Sequence, residues 1–307
     1  RRGAPAAAPP SSAALFAEAE AAHGVPPEVL LAFWAMETNF GSFMGDFPVI
    51  ASLATLAHDC RRPEIFRPQL LAAIGLYARG GLDLRETGAW AGEIGHVQML
   101  PGDILKLGVD ADGDGRVRMK ASAEDALATA AAKLADRGWR RGEPWIVEVT
   151  TPEGFDWAQS GFGGERPGAD WAALGVAARD AGAAQAGGAL PAALLAPQGR
   201  KGPKFLVYPN FSEVYLAWNQ SLVNTLSAAY LATRIGGAPR FLAGAPDPGL
   251  GLDAMKRLQE RLQALGHDVG AVDGVLGART RAAVRAEQAR LGVPADGWPT
   301  PDLLARL

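Results

Sequence analysis

One carboxylate, Glu37, stands in the string Phe33-Trp34-Ala35-Met36-Glu37-Thr38-Asn39-Phe40-Gly41, just after Pro26-Pro27. The prolines open a helix expected over 27–38. On it Leu30, Phe33 and Trp34 share the face of Glu37. An apolar face disfavours the charged form of a carboxylate, so this glutamate is expected to hold a proton near neutral pH and to serve as a general acid. The alternative is a rim glutamate whose carboxylate reaches solvent.

A loop fit to bind a sugar follows at Gly88-Ala89-Trp90-Ala91-Gly92-Glu93-Ile94-Gly95-His96-Val97-Gln98-Met99-Leu100-Pro101. Its glycines allow close backbone approach, Trp90 offers a stacking face, and Gln98 offers both a donor and an acceptor. Further on, Asp110-Ala111-Asp112-Gly113-Asp114-Gly115-Arg116 begins like an EF-hand. The carboxylates of Asp110, Asp112 and Asp114 and the carbonyl of Arg116 would supply hard oxygen ligands suited to calcium. Ala121 stands where an ordinary EF-hand has its closing glutamate, and Glu124, three residues later, is expected to close the site instead. The bland alternative is an Asp/Gly turn with solvated carboxylates.

Taken with Arg61-Arg62, Tyr208-Pro209-Asn210-Phe211 and Trp218-Asn219-Gln220-Ser221, these motifs resemble the membrane-bound lytic transglycosylase B family over about residues 12–237. The resemblance implies a lysozyme-like helical domain that cleaves the glycosidic bond between N-acetylmuramic acid and N-acetylglucosamine in peptidoglycan. The 6-hydroxyl of the muramic acid residue would attack its own anomeric carbon, leaving a 1,6-anhydro end. Glu37 would act first as acid and then as base. An intramolecular nucleophile removes the second carboxylate that most glycosidases need. The resemblance further implies that Gln98 and Asn219 hold the sugar and its N-acetyl group. Trp90 and Trp218 would form an aromatic wall, with Arg61 and Arg62 near the peptide or lactyl side. A lengthened calcium loop also fits that family, with a structural Ca2+ and no cofactor for the chemistry. The implied partners are peptidoglycan glycan strands and other cell-wall enzymes, and the implied location is the periplasm or cell envelope, with outer-membrane association left open.

Two positions depart from the family pattern. Ala89 replaces a common serine, and Glu93 replaces a small residue. A second carboxylate able to activate water would make the protein a hydrolytic muramidase, and a decayed groove would leave a non-catalytic peptidoglycan-binding scaffold. Retention of Glu37, Gln98 and Asn219 together argues for the enzyme.

The elements that must position these groups read as mainly α, within an α+β class. Alanine- and leucine-rich runs at about 13–22, 27–38, 68–79 and 123–137 are expected helices, the first capped by Ser11 or Ser12. Short β-prone runs between glycine and proline turns give a small β-containing insertion at about 142–188, and helical periodicity returns at 211–235. Residues 1–11 read as a flexible stub and 238–252 as a linker. From Asp253 to Leu307, Met255, Leu258, Leu262 and Leu265 form a helical stripe ended by Gly266. Thr280 and Thr300 are expected to cap two further helices. This three-helix unit resembles a peptidoglycan-binding domain, a likeness carried by Asp273-Gly274-Val275-Leu276-Gly277-Ala278-Arg279-Thr280.

Composition sets the outer bounds. A chain of 307 residues, 48% hydrophobic and 21% charged, has material for a large domain and a small one. A net charge of −3, with no basic run interleaved with aromatics, argues against nucleic acid. Cys60 is the only cysteine, so no intrachain disulfide can form. No apolar stretch is long enough to span a membrane.

Overall fold

The computed structural model describes residues 12–307. The expected stub at 1–11, with Ser11, lies outside the described residues, and so does the side chain of Ser12. The chain forms two compact units, one running to Arg141 and including Leu231–Gly237, the other Gly142–Tyr230 with Ala238–Leu307.

The first unit is built of helices: α1 (Ser12–His23), α2 (Pro27–Thr38), α3 (Val49–His58), α4 (Pro63–Ala78), α5 (Pro101–Leu107) and α6 (Ala123–Asp136). Proline starts α2, α4 and α5, where a missing N–H costs nothing. Ser122 caps α6 by accepting a hydrogen bond from Asp125 N at 3.1 Å. α6 forms the floor: Ala126, Leu127, Ala130, Ala131 and Leu134 are all buried, and the three alanines leave room for α1 and α2 to pack onto it. α3 buries Val49, Leu53 and Ala57, one residue per turn, and packs against α4. α4 starts five residues before the expected 68–79 run and carries Pro68 inside it.

A two-residue ladder ties the chain after α2 to the glycine-rich loop: β1 (Phe47–Pro48) pairs antiparallel with β2 (Thr87–Gly88). It depends on Gly45, at φ 84°, where a Cβ would lie 2.1 Å from Gly88 O. Only glycine permits that approach.

The second unit holds an antiparallel sheet of β3 (Ile146–Thr150), β4 (Arg166–Pro167), β5 (Ala177–Ala178), β6 (Pro191–Leu195) and β7 (Phe205–Val207), in the order β4-β6-β7-β3-β5. Short helices α7 (Gly168–Ala173) and α8 (Ala181–Ala186) lie between strands. Trp171 is fully buried in its core among Val147, Leu194, Leu206 and Tyr208, and its indole N–H donates to Ala192 O at 2.8 Å. Two of the three central strands, β6 and β7, fall beyond the expected 142–188 insertion. They are buried apolar runs that show no alternation with polar residues.

The helix expected over 211–235 is three pieces: a π-helical turn at Asn210–Tyr215, α9 (Leu216–Trp218) and α10 (Leu222–Ile235). Asn219 makes the break. Its Oδ1 accepts from Ser221 N at 2.9 Å, and its carbonyl accepts from Thr225 Oγ1 at 2.6 Å. Side-chain bonds of this local kind compete with helix.

At the C-terminal end come α11 (Leu252–Ala264), α12 (Ala278–Arg290) and α13 (Pro301–Arg306), closing on Met255, Leu258, Leu262, Val269, Val284 and Leu303. Gly266 at φ 91° ends α11, with His267 N bonded to Leu262 O at 3.0 Å. Leu265 lies outside the stripe and is exposed. Thr300 caps α13 by accepting from Leu303 N. Thr280 does not cap α12: Gly277 holds that position, and Thr280 is buried, donating to Val269 O while accepting from Gln259 Nε2.

The 238–252 stretch has almost no regular secondary structure, yet it is fastened down. Phe241 packs edge-on against Tyr230 and Phe205. Leu242 N donates to Glu148 Oε1 at 2.6 Å, Lys201 pairs with Asp247 at 2.6 Å, and Trp298 Nε1 donates to Asp247 O at 2.9 Å. Among the described residues no helix is long and apolar enough to cross a membrane.

Leu258 is fully buried in the C-terminal core, so Leu258→Ala is expected to cost about 2–5 kcal/mol, measured as a lower urea midpoint for that module.

Candidate active site

Glu37 occupies the last turn of α2 and is half-buried; Leu30 and Phe33 beneath it are buried and Trp34 is partly so. The helix stops one residue later because Asn39 turns left-handed (φ 48°), with Asn39 N bonded to Ala35 O and Phe40 N to Trp34 O. Phe40 continues at φ 58°. Two successive non-glycine residues in this region store strain, which persists only where surroundings enforce it.

The enforcing contacts come from the glycine-rich loop. Thr38, 3% exposed, donates from Oγ1 to His96 O at 2.7 Å and accepts from Gly41 N at 2.9 Å. Trp34 Nε1 donates to His96 Nδ1 at 3.1 Å, and the two rings meet edge to face with centroids 5.5 Å apart. This bond makes Nδ1 the acceptor and leaves the proton of the neutral ring on Nε2. Burial pushes the His96 pKa below its ordinary value, against the opposing pull of Glu124, so the neutral form is favoured. Gly41 completes the fit: a Cβ there would lie 2.4 Å from the His96 ring.

Gln98 sits at φ 46° in the tight loop closed by the Ile94–Met99 bridge. Its Nε2 donates to Gly95 O at 2.9 Å and Met44 O at 3.3 Å. The amide is thereby fixed in orientation. Trp90 is 63% exposed, as are Phe40, Phe43 and Phe47 at 51%, 68% and 51%. The three phenylalanines went unread in the sequence. Their clustering just after Glu37 was the available signal, since exposed aromatics at this density exceed what a solvated surface carries. Glu93 Oε2 is buried with no hydrogen-bond partner among the described residues, so that oxygen is not solvated.

The arginine pair divides. Arg61 is spent on Asp59, with Nε and Nη2 bonds at 3.0 and 2.7 Å, and this contact holds the Asp59 carboxyl at about 2. Arg62 is exposed and forms the N-cap of α4. Trp218 and Asn219 belong to the second unit, where Trp218 is half-buried and Asn219 Oδ1 is used in the turn at the end of α9.

In the acidic loop, ligand atoms of Asp110, Asp112 and Asp125 lie within 4.8 Å of one another. Asp125 is the third carboxylate in that group. It is fully buried and accepts from Ala111 N at 2.8 Å and Arg118 N at 2.7 Å. Burial pushes its pKa up despite these bonds. Asp114 instead pairs with Arg118, Arg116 supplies its N–H to Asp114, and Glu124 accepts from Ser122 Oγ. An all-oxygen set converging on a buried carboxylate whose charge is disfavoured fits a hard divalent cation.

The helical first unit, with Glu37 at a clamped helix end beside exposed aromatics and a fixed amide, has a lysozyme-like fold. Residues 6–233 match the family described as Transglycosylase SLT domain, and the chain belongs to that family; residues 252–307 match the family described as Putative peptidoglycan binding domain. The membrane-bound lytic murein transglycosylase B of Escherichia coli (strain K12) is 33% identical over 141 residues, 43% of this chain and 38% of that protein. The chain therefore matches less than half the length of that relative. SltB3 from Pseudomonas aeruginosa in complex with NAG-anhNAM-pentapeptide is 40% identical, with a TM-score of 0.85 over 96% of this chain and 79% of that one. The soluble lytic transglycosylase SltB1 from Pseudomonas aeruginosa is 27% identical, with a TM-score of 0.62 over 74% of this chain and 76% of that one. The Escherichia coli lytic transglycosylase Slt35, in complex with calcium, shares the fold at 24% identity and a TM-score of 0.63.

Thr38→Val removes both hydrogen bonds of the clamp while keeping its shape. Leaving His96 O and Gly41 N unsatisfied is expected to cost about 1–3 kcal/mol, read by urea denaturation.

Proposed function

We propose that this protein is a lytic murein transglycosylase that cleaves peptidoglycan strands with formation of 1,6-anhydro-N-acetylmuramic acid, with Glu37 as the acid and then the base. The observation that carries the reading is the single glutamate in the clamped last turn of α2, flanked by exposed aromatics and the fixed Gln98 amide. Glu37 protonates the departing glycosidic oxygen. It then takes the proton of the 6-hydroxyl as that oxygen closes on the anomeric carbon, so the proton count balances and no water is consumed. High effective molarity supplies what a second carboxylate would otherwise provide.

In this reading Gln98 Oε1 accepts from the sugar or its N-acetyl N–H, Trp90 stacks on a sugar face, and Trp218 and Asn219 are substrate contacts of the second unit. Arg62 is the member of the arginine pair available to a peptide or lactyl carboxylate. Residues 253–307 act as a wall-binding module that raises the local concentration of strands. The site of action is the cell envelope, on its periplasmic side. Asp110, Asp112 and Asp125 hold a structural Ca2+ that stiffens the loop before α6, and the chemistry needs no cofactor.

Glu37→Gln is expected to retain sacculus binding and to lose about 10²–10⁴-fold in muropeptide release. Undiminished release would remove Glu37 from the mechanism. Calcium is expected to raise the melting temperature of the wild type and of Glu124→Gln but not of Asp125→Asn; scanning calorimetry with and without EGTA reads the difference.

A further inference from the structure

We propose that the second unit carries a binding site, separate from Glu37 and its loop, for a carboxylate borne on an apolar body, with Arg281 as its anchor. A cavity of about 430 Å3 lies within this unit, a size typical of small-molecule sites. Its walls come from four stretches of chain: Phe205 of β7, Leu226 of α10, Phe241 of the 238–252 stretch, and Met255 and Trp298 of the C-terminal module. Among the described residues lining it, Arg281 is the only charged one.

Arg281 is 8% exposed. It donates from Nη2 to Pro197 O at 2.8 Å, and its guanidinium lies 5.9 Å from the centre of the Trp298 ring. Its Nε has no hydrogen-bond partner among the described residues. Asp296, the carboxylate that acts on it through space, is committed elsewhere: Oδ1 accepts from Gln288 Nε2 and Trp298 N, and Oδ2 from Arg200 N. Arg285, one turn along α12, adds a second positive charge. Burial and this neighbour lower the Arg281 pKa to about 10, which leaves it charged at neutral pH.

A buried cation with an idle donor and no dedicated anion is costly. A carboxylate entering the cavity would accept a charge-assisted hydrogen bond from Nε, and an apolar body would cover the aromatic and aliphatic walls. A neutral apolar ligand would leave the guanidinium as it is, and a dianion would lose hydration that one arginine does not replace. The chemistry thus selects a monocarboxylate with apolar substituents. Two sources in a bacterial envelope supply it: the alanine-terminated end of a wall peptide and the end of an acyl chain. Either would touch all four stretches at once and brace the unit.

The test uses the full chain and thermal denaturation, since a ligand that binds only the folded state raises the melting temperature in a saturable way. Three probes are titrated: decanoate, decanol and N-acetyl-D-alanyl-D-alanine. The expected result is a saturable rise of several degrees with at least one of the two carboxylates and none with decanol. That rise should be lost in Arg281→Gln, whose own melting temperature is expected to equal or exceed the wild type's. A response to the dipeptide alone identifies the wall peptide terminus, and a response to decanoate alone identifies an acyl end. No response to either carboxylate, an equal response to decanol, or an unchanged response in the variant overturns the proposal. Should the variant fail to fold, the contrast on the wild type between decanol and whichever carboxylate binds still decides.

Discussion

The hydrogen bond from Thr38 Oγ1 to the carbonyl of His96 joins the two parts of the first unit that matter, the end of α2 and the glycine-rich loop. Without it the strained exit from the helix, with Asn39 and Phe40 both left-handed, has little to hold it. The bond is partly buried, and a hydrogen bond shielded from water is stronger when made and costlier when broken. The indole of Trp34 adds a second link to the same histidine. Together they fix where the glutamate between them sits, and rigid placement is what general acid catalysis asks of a scaffold.

Several other features follow from that joint. Gly41 is needed so that the His96 ring can lie against the turn. The β1–β2 ladder sets the loop's other end, and Gly45 allows its backbones to meet. Partial burial and the role of Nδ1 as an acceptor both favour the neutral form of His96. The aromatic residues left exposed around the helix end, Phe40, Phe43 and Phe47, are a cost in water that only contact with a ligand or partner would recover.

Much of this was legible in the sequence, and the parts that were not share a cause. That Glu37 lies at the end of a helix, and that Gln98 shares a tight glycine-rich loop with Trp90, was legible because those segments carry strong local signals. The C-terminal helices were found because their apolar stripe and caps are local as well. The acidic loop offers a further carboxylate that counting along the loop does not register: Asp125, buried at the start of α6, has an oxygen close to those of Asp110 and Asp112. Thr280 looked like a cap and is a buried bridge to Val269 and Gln259, a tertiary use of a side chain with a strong local reading. Strands β6 and β7 are buried runs, without the alternation that marks a half-exposed strand. The 238–252 stretch has a linker's composition, yet Phe241 and Asp247 tie it to the sheet and to Trp298. In each case the missing information was a partner distant in sequence.

The central claim is that one carboxylate and the substrate's own 6-hydroxyl do the chemistry. Its most direct test is mass spectrometry of the soluble muropeptides released from purified sacculi by the wild-type chain. The account predicts products ending in 1,6-anhydro-N-acetylmuramic acid. Products with a free reducing end, heavier by one water, would contradict it and turn attention to Glu93 as a second carboxylate.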